Sequence, residues 1–173
     1  MDPRLNFIFK RRSIRKFTAE KITDADLKSL LEAGMAAPSA GGKDPVRFII
    51  MTQPELKQTI AEFLPNGKFL TEAPLGILVL GDIDVAIANS ESYMLQDCAA
   101  SIENILLAAT ALELGTCWLG VHPREDRIAG IKQFFKLPKN LIPISIIAAG
   151  HPDETKEPRT RYNPAAVKFN TWN

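Results

Sequence analysis

The chain has 173 residues, 46% of them hydrophobic and 24% charged, which suits one globular domain with a real core. Its net charge of +1 supplies neither a global basic field for nucleic acid nor an acidic tail. The longest apolar runs, residues 75–80 and 142–149, fall far short of the roughly 20 residues that span a bilayer.

The opening Met1-Asp-Pro-Arg4 carries no apolar signal core, so a cytoplasmic protein is expected. Residues 3–10 read as a short helix with Leu5, Ile8 and Phe9 as its apolar positions, followed by a basic cluster of Lys10, Arg11, Arg12, Arg15 and Lys16. Thr23 caps the next helix together with Asp26, and Asp24 and Asp26 suit the positive end of its dipole. Leu27, Leu30 and Leu31 give that helix an apolar face, and Gly34 weakens it towards its end. Residues 38–45, Pro-Ser-Ala-Gly-Gly-Lys-Asp-Pro, hold too many breakers for a helix or a central strand and form a loop.

Residues 46–51 read as a strand. Thr52 and Glu55 then suggest a cap for a helix that carries Pro54 in its first turn. Residues 75–81 are a continuous apolar run of strand length. Between 95 and 112 the apolar residues recur at helical spacing in an alanine-rich segment, which predicts a buried central helix stopped by Gly115. A short strand at 116–121, a helix at 124–135 and a buried strand at 141–149 follow, and the tail from Gly150 is polar and proline-rich but holds Phe169 and Trp172. Helices outnumber strands, and the strands are apolar on both faces. The expected class is α+β, one domain over 1–173 with its sheet sandwiched by helices. Strand order is not legible.

The two histidines, His122 and His151, each precede a proline, and there is no His-x-x-x-His, Gly-x-Ser-x-Gly or phosphate-loop motif. Metal and serine–histidine chemistry are set aside. Cys98 and Cys117 form no C-x-x-C pair and read as small buried hydrophobes in a reducing compartment. What remains is a set of anion-binding features with little acid–base machinery, the profile of a site where a cofactor does the difficult step.

Two arginine clusters carry that reading: Arg11, Arg12 and Arg15 around Ser13, and Arg159 with Arg161 in the tail. Guanidinium groups can fork onto a phosphate, with Ser13 adding a hydroxyl. Cations following a helix C-terminus are also favoured by its dipole alone, so composition leaves both readings open. Nucleic-acid binding fits poorly, because no basic stripe or aromatic set accompanies the cluster. In the loop, adjacent glycines let backbone approach a planar ligand, with Ser39 and Lys43 as donors, and an ordinary surface turn is the alternative. Trp118 reads more as core than as a cofactor contact.

Taken in order, four segments resemble the nitroreductase family of FMN flavoenzymes: Arg-Arg-Ser-Ile-Arg-Lys-Phe at 11–17, Ala-Ala-Pro-Ser-Ala-Gly at 36–41, the run from Gln96 through Leu-Gly-Thr-Cys-Trp-Leu-Gly at 114–120, and Gly-His-Pro at 150–152 with Pro-Arg-Thr-Arg at 158–161. The resemblance implies a central, mostly antiparallel sheet and a homodimer with FMN at its interface. By that likeness Arg11, Arg12, Ser13 and Arg15 hold the phosphate and the flavin's polar edge, with Arg159 and Arg161 at the phosphate. Pro38, Ser39 and Ala40 reach the flavin of the partner subunit, and the backbone of Leu119 and Gly120 faces the ring. NAD(P)H reduces the flavin and leaves, and a small-molecule acceptor such as a nitro compound or quinone enters the same cleft. Neither nucleic acid nor a membrane is expected as a partner.

This chain departs from the family after Ser-Ala-Gly, where Asn, a spacer, Gln, Pro and Trp usually follow and Gly42-Lys-Asp-Pro-Val46 stands instead. The expectation is that Lys43 comes close to the flavin in place of the lost amide, with Asp44 opposing its charge. The chain also has little between Gly81 and Leu95, where larger members carry extra helices over the cleft. A specialised dehydrogenase or dehalogenase of the same fold, or a non-catalytic FMN-binding regulatory protein, are the alternatives.

Overall fold

Strand alternation divides the apolar residues of the sheet between two helical layers. The computed structural model describes residues 2–172. Strands β1 (Val46–Met51), β2 (Leu75–Asp82), β3 (Gly115–Gly120) and β4 (Leu141–Gly150) form one sheet in the order β1-β2-β4-β3, every neighbouring pair antiparallel. The helices are α1 (Asn6–Lys10), α2 (Asp24–Met35), α3 (Pro54–Glu62), α4 (Glu91–Ala111) and α5 (Glu125–Phe134).

Leu78 and Leu80 of β2 and Ile146 and Ala148 of β4 pack with Ile60 of α3 and Ile131 of α5. Leu75, Ile77 and Val79 on the other face pack with Leu30 of α2 and with Met94, Cys98, Ile102, Ile105 and Ala109 of α4. Each such aliphatic side chain contributes about 1.5–3 kcal/mol on burial, which is why both central strands are apolar on both faces. The α+β class with a helix-sandwiched antiparallel sheet is therefore what the chain adopts.

Local rules account for the corrections to the sequence reading. Thr23 Oγ1 accepts from the Asp26 N–H at 3.0 Å, as expected. Thr52 is not a cap: Gln53 is the N-cap, without a side-chain bond. Pro54 disfavours helical backbone at the residue before it, so Gln53 is extended and the helix starts one residue too late for Thr52. Helix α4 begins at Glu91, four residues before the apolar periodicity shows, because Glu91, Ser92 and Tyr93 are exposed. Gly115 does not stop α4. Glu113 takes the left-handed turn at φ 60°, and the Leu114 N–H returns to the Ala109 carbonyl at 2.8 Å. Trp118 is not core, since it lies on the edge strand β3 and is 39% exposed.

Cys98 and Cys117 are buried free thiols. Burial, with the neighbouring Asp97 carboxylate adding to it, pushes the Cys98 thiol up to about 12.

Gly115 is glycine because a side chain crosses it. A Cβ there would lie 2.8–3.1 Å from three atoms of Ile14, which is the buried anchor of the arginine segment. Gly115→Ala is expected to push Ile14 off β3 and cost about 1–3 kcal/mol, the range for overpacking. Urea unfolding checks the loss, and a variant as stable as the parent would show that Ile14 yields freely.

Candidate functional site

The arginine segment leaves α1 at Arg11 and runs extended along the edge of the sheet. Ser13 bridges Thr116 of β3 in parallel, and the Ile14 N–H donates to the Thr116 carbonyl at 2.9 Å. With Ile14 and Phe17 buried, Arg15 and Lys16 point outward. The chain after β4 then lies antiparallel to this segment. Thr18 N–H donates to the His151 carbonyl at 3.0 Å, Asp153 N–H to the Lys16 carbonyl at 2.9 Å, and Arg159 N–H to the Phe9 carbonyl at 3.1 Å. Side chains complete the seam: Lys156 Nζ donates to the Ser13 carbonyl at 2.6 Å, and Arg12 donates to the Glu157 carbonyl.

Pairing the two segments gathers Arg11, Arg12, Ser13, Arg15, Lys156 and Arg159 around one polar recess of about 250 Å³. Two carboxylates offset part of its charge. Glu103 lies 3.6 Å from Arg11, and Glu154 lies 3.0 Å from Lys156 while accepting the Arg15 N–H at 2.6 Å. Those hydrogen bonds, the one from Arg15 first, hold the Glu154 carboxyl below the usual glutamate range. Five cations around one recess give it the charge and the donors that an anion site needs. Lys156 was missed in the sequence because a lone lysine in a polar tail carries no motif. Arg161 stands outside the recess, exposed in the tail.

Arg15 also lines a second hollow, of about 220 Å³, with Asn66, Gly67, Phe69, Leu119, Gly120 and Arg127. Its guanidinium carbon sits 5.8 Å from the Phe69 ring centre. Arg127 donates to the Gly120 carbonyl at 2.7 Å and so fixes the end of β3. A Cβ at Gly120 would meet nothing within 4 Å, so packing does not demand glycine there. Its absence leaves main chain open to the hollow. Leu119 and Gly120 thus share a groove that Arg15 joins to the anion recess, the arrangement that a planar group carrying a phosphate needs. Asn66, Phe69 and Arg127 entered through folding alone, since nothing in their spacing marked them.

The loop 38–45 stands elsewhere. It contributes Pro38, Ser39 and Asp44 to a separate cavity of about 350 Å³, and among the described residues it lines neither the recess nor the groove. A short turn at Ala40–Gly42 places Gly41 at φ 62° and Gly42 at φ 63°, a conformation that favours glycine. Ser39 Oγ donates to Asp44 Oδ1 at 2.5 Å and accepts the Asp44 N–H at 2.9 Å, so these two residues clasp the loop shut. Lys43 is exposed at its tip.

The nitroreductase family model matches residues 8–67 and 63–151. A protein of Archaeoglobus fulgidus, named as a proposed NADH dehydrogenase/NAD(P)H nitroreductase, is 35% identical over 175 residues, covering 99% of this chain and all of its own. A crystal structure of the protein of the same name from Parabacteroides distasonis superposes with a TM-score of 0.91 at 34% identity, covering 99% of this chain and 100% of that one. An FMN-dependent nitroreductase from Clostridium difficile gives a TM-score of 0.88 at 28% identity, covering 96% and 99%. The chain belongs to the nitroreductase family.

Proposed function

We propose that this protein is an NAD(P)H-dependent FMN oxidoreductase that works as a homodimer and reduces small acceptors such as nitro compounds and quinones. The observation that carries the reading is the continuity of the five-cation recess with the groove at Leu119 and Gly120, through Arg15. FMN, when bound, accepts a hydride from NAD(P)H and returns the electrons to the acceptor. Arg11, Arg12, Ser13, Arg15, Lys156 and Arg159 hold its phosphate and polar edge, and the open main chain of Leu119 and Gly120 faces its ring. Arg161 approaches the phosphate from the exposed tail. Pro38, Ser39 and Ala40 serve the flavin of the neighbouring copy, consistent with their not lining their own chain's recess or groove.

Support for the dimer comes from the surface. Tyr162, Phe169 and Trp172 are 76%, 86% and 72% exposed in one chain, and Leu5, Phe7 and Ile8 around α1 are exposed as well. Large apolar side chains left bare in a single chain are what an interface would cover, which supports the dimer. No helix among the described residues is long and apolar enough to cross a membrane.

Donor and acceptor share one cleft in this reading, so the two half-reactions alternate. Steady-state rates with NADPH and menadione varied together should give parallel double-reciprocal lines, and intersecting lines would contradict alternation. Lys43 at the loop tip is the cation next to the neighbouring flavin. Lys43→Ala is expected to lower the flavin's reduction potential by about 20–40 mV, roughly 30 mV being 1.4 kcal/mol for a two-electron couple. A dye-coupled potential equal to the parent's would leave the loop as spacing only.

A further inference from the structure

Helix α4 is apolar along most of its length, yet its flank towards α2 carries Asp97, Ser101 and Asn104 at successive turns. Asn104 Nδ2 donates to the Ala33 carbonyl near the end of α2 at 3.0 Å. Ser101 lies beside Gly34, its Oγ 3.2 Å from where a Cβ would stand. Asp97 is 5% exposed, and its Oδ1 accepts the Ala40 N–H at 2.9 Å, inside the short turn of the loop. These contacts follow the chain from Ala33 to Ala40 and tie the end of α2 and the loop to one buried helix.

Asp97 is an expensive residue for that position. Its second oxygen, Oδ2, is buried and has no hydrogen-bond partner among the described residues. A carboxylate oxygen left so opposes folding, and an apolar side chain of similar size would pack there at lower cost. The residue therefore contributes something other than stability. What it contributes is an acceptor for the Ala40 N–H, which ties the loop turn to α4, while the Gly42 N–H to the Ser39 carbonyl and the Ser39–Asp44 clasp close the loop on itself.

We infer that Asp97 is a positioning residue: its Oδ1 holds the Ala40 N–H and so keeps Pro38, Ser39 and Ala40 in the shape that meets the neighbouring copy's flavin. The inference rests on the reading that this loop serves that flavin. It acts through an accepted hydrogen bond, which an amide supplies as well as a carboxylate.

Asp97→Leu and Asp97→Asn test it in the FMN-loaded protein. Asp97→Leu should keep the fold by circular dichroism and melting, speed amide exchange across 38–45, and raise the FMN dissociation constant of the apoprotein up to about tenfold, the loss of one part-buried hydrogen bond. Asp97→Asn should restore slow exchange and tight binding. Unchanged exchange in Asp97→Leu overturns the inference and leaves the flavin reading standing. Faster exchange with unchanged FMN affinity removes the loop from the flavin, and the positioning role falls with that reading. An asparagine variant as loose as the leucine one shows that charge, not the accepted bond, is what matters, and also overturns the inference.

Discussion

Arg15→Ala is expected to weaken FMN binding by tenfold or more. Among the described residues Arg15 alone lines both the recess and the groove beside β3, so its removal would disturb the proposed phosphate and ring positions together. A hydrogen bond to a charged group contributes about 1.5–3 kcal/mol, and 1.4 kcal/mol is a tenfold change in affinity. Fluorescence titration of the apoprotein with FMN measures it. Arg159→Ala should lose affinity on the same scale because Arg159 lines the recess, and Arg161→Ala should lose less because Arg161 does not. The backbone frame should survive these changes, since Glu154 and Lys156 bind main-chain groups of Arg15 and Ser13 rather than the guanidinium. Wild-type affinity in both Arg15→Ala and Arg159→Ala would move the phosphate elsewhere.

The second large effect concerns the tail. Sedimentation equilibrium at micromolar concentration should give twice the 19.1 kDa chain mass, with no monomer. Replacing Phe169 and Trp172 together by alanine should raise the dimer dissociation constant at least a hundredfold, because burying each ring contributes about 1.5–3 kcal/mol and both rings are lost. Both rings are largely bare in the single chain, so the substitution costs the monomer little. A stable flavin-bearing monomer would reject the shared-site reading. A dimer indifferent to the substitution would free the tail from the interface.

Much of this was written in local chemistry. Thr23 and Asp26 announced the start of α2, the spacing from Leu95 to Leu112 announced α4, and nearly unbroken apolar runs announced two strands buried on both faces. Strand order was not written there, because β2 and β4 are apolar at nearly every position, Asp82 and Ser145 apart, and offer no alternation from which to read a partner. The slip between Val79 and Leu80 was equally silent. It sets Ile144 on the same side as Ile147, three residues on, and a run of aliphatic residues looks the same with or without it.

The site divides in the same way. Arg11, Arg12, Ser13, Arg15 and Arg159 were visible as clusters, and the pairing of residues 11–18 with the chain after β4 explains why two distant clusters share a recess. Lys156, Asn66 and Arg127 were invisible because each is a single polar residue placed by tertiary packing. Asp97 sat in an apolar-periodic helix, where a lone acid reads as surface until its bond to Ala40 is seen. Asp44 was expected to oppose a cation. Its role in the fold is to bind Ser39, and it does so from a left-handed conformation, φ 50°, that aspartate adopts more readily than most residues.

The most direct test of the whole account is an absorption spectrum of the purified protein, recorded anaerobically before and after NADPH and again after menadione. The account predicts a yellow protein whose flavin band bleaches with NADPH and returns with menadione, and whose heat-released cofactor chromatographs as FMN. A colourless protein that FMN does not reconstitute would contradict it outright. A yellow protein inert to both NADH and NADPH would contradict the proposed donor and favour a specialised flavoenzyme or a regulatory FMN-binding protein.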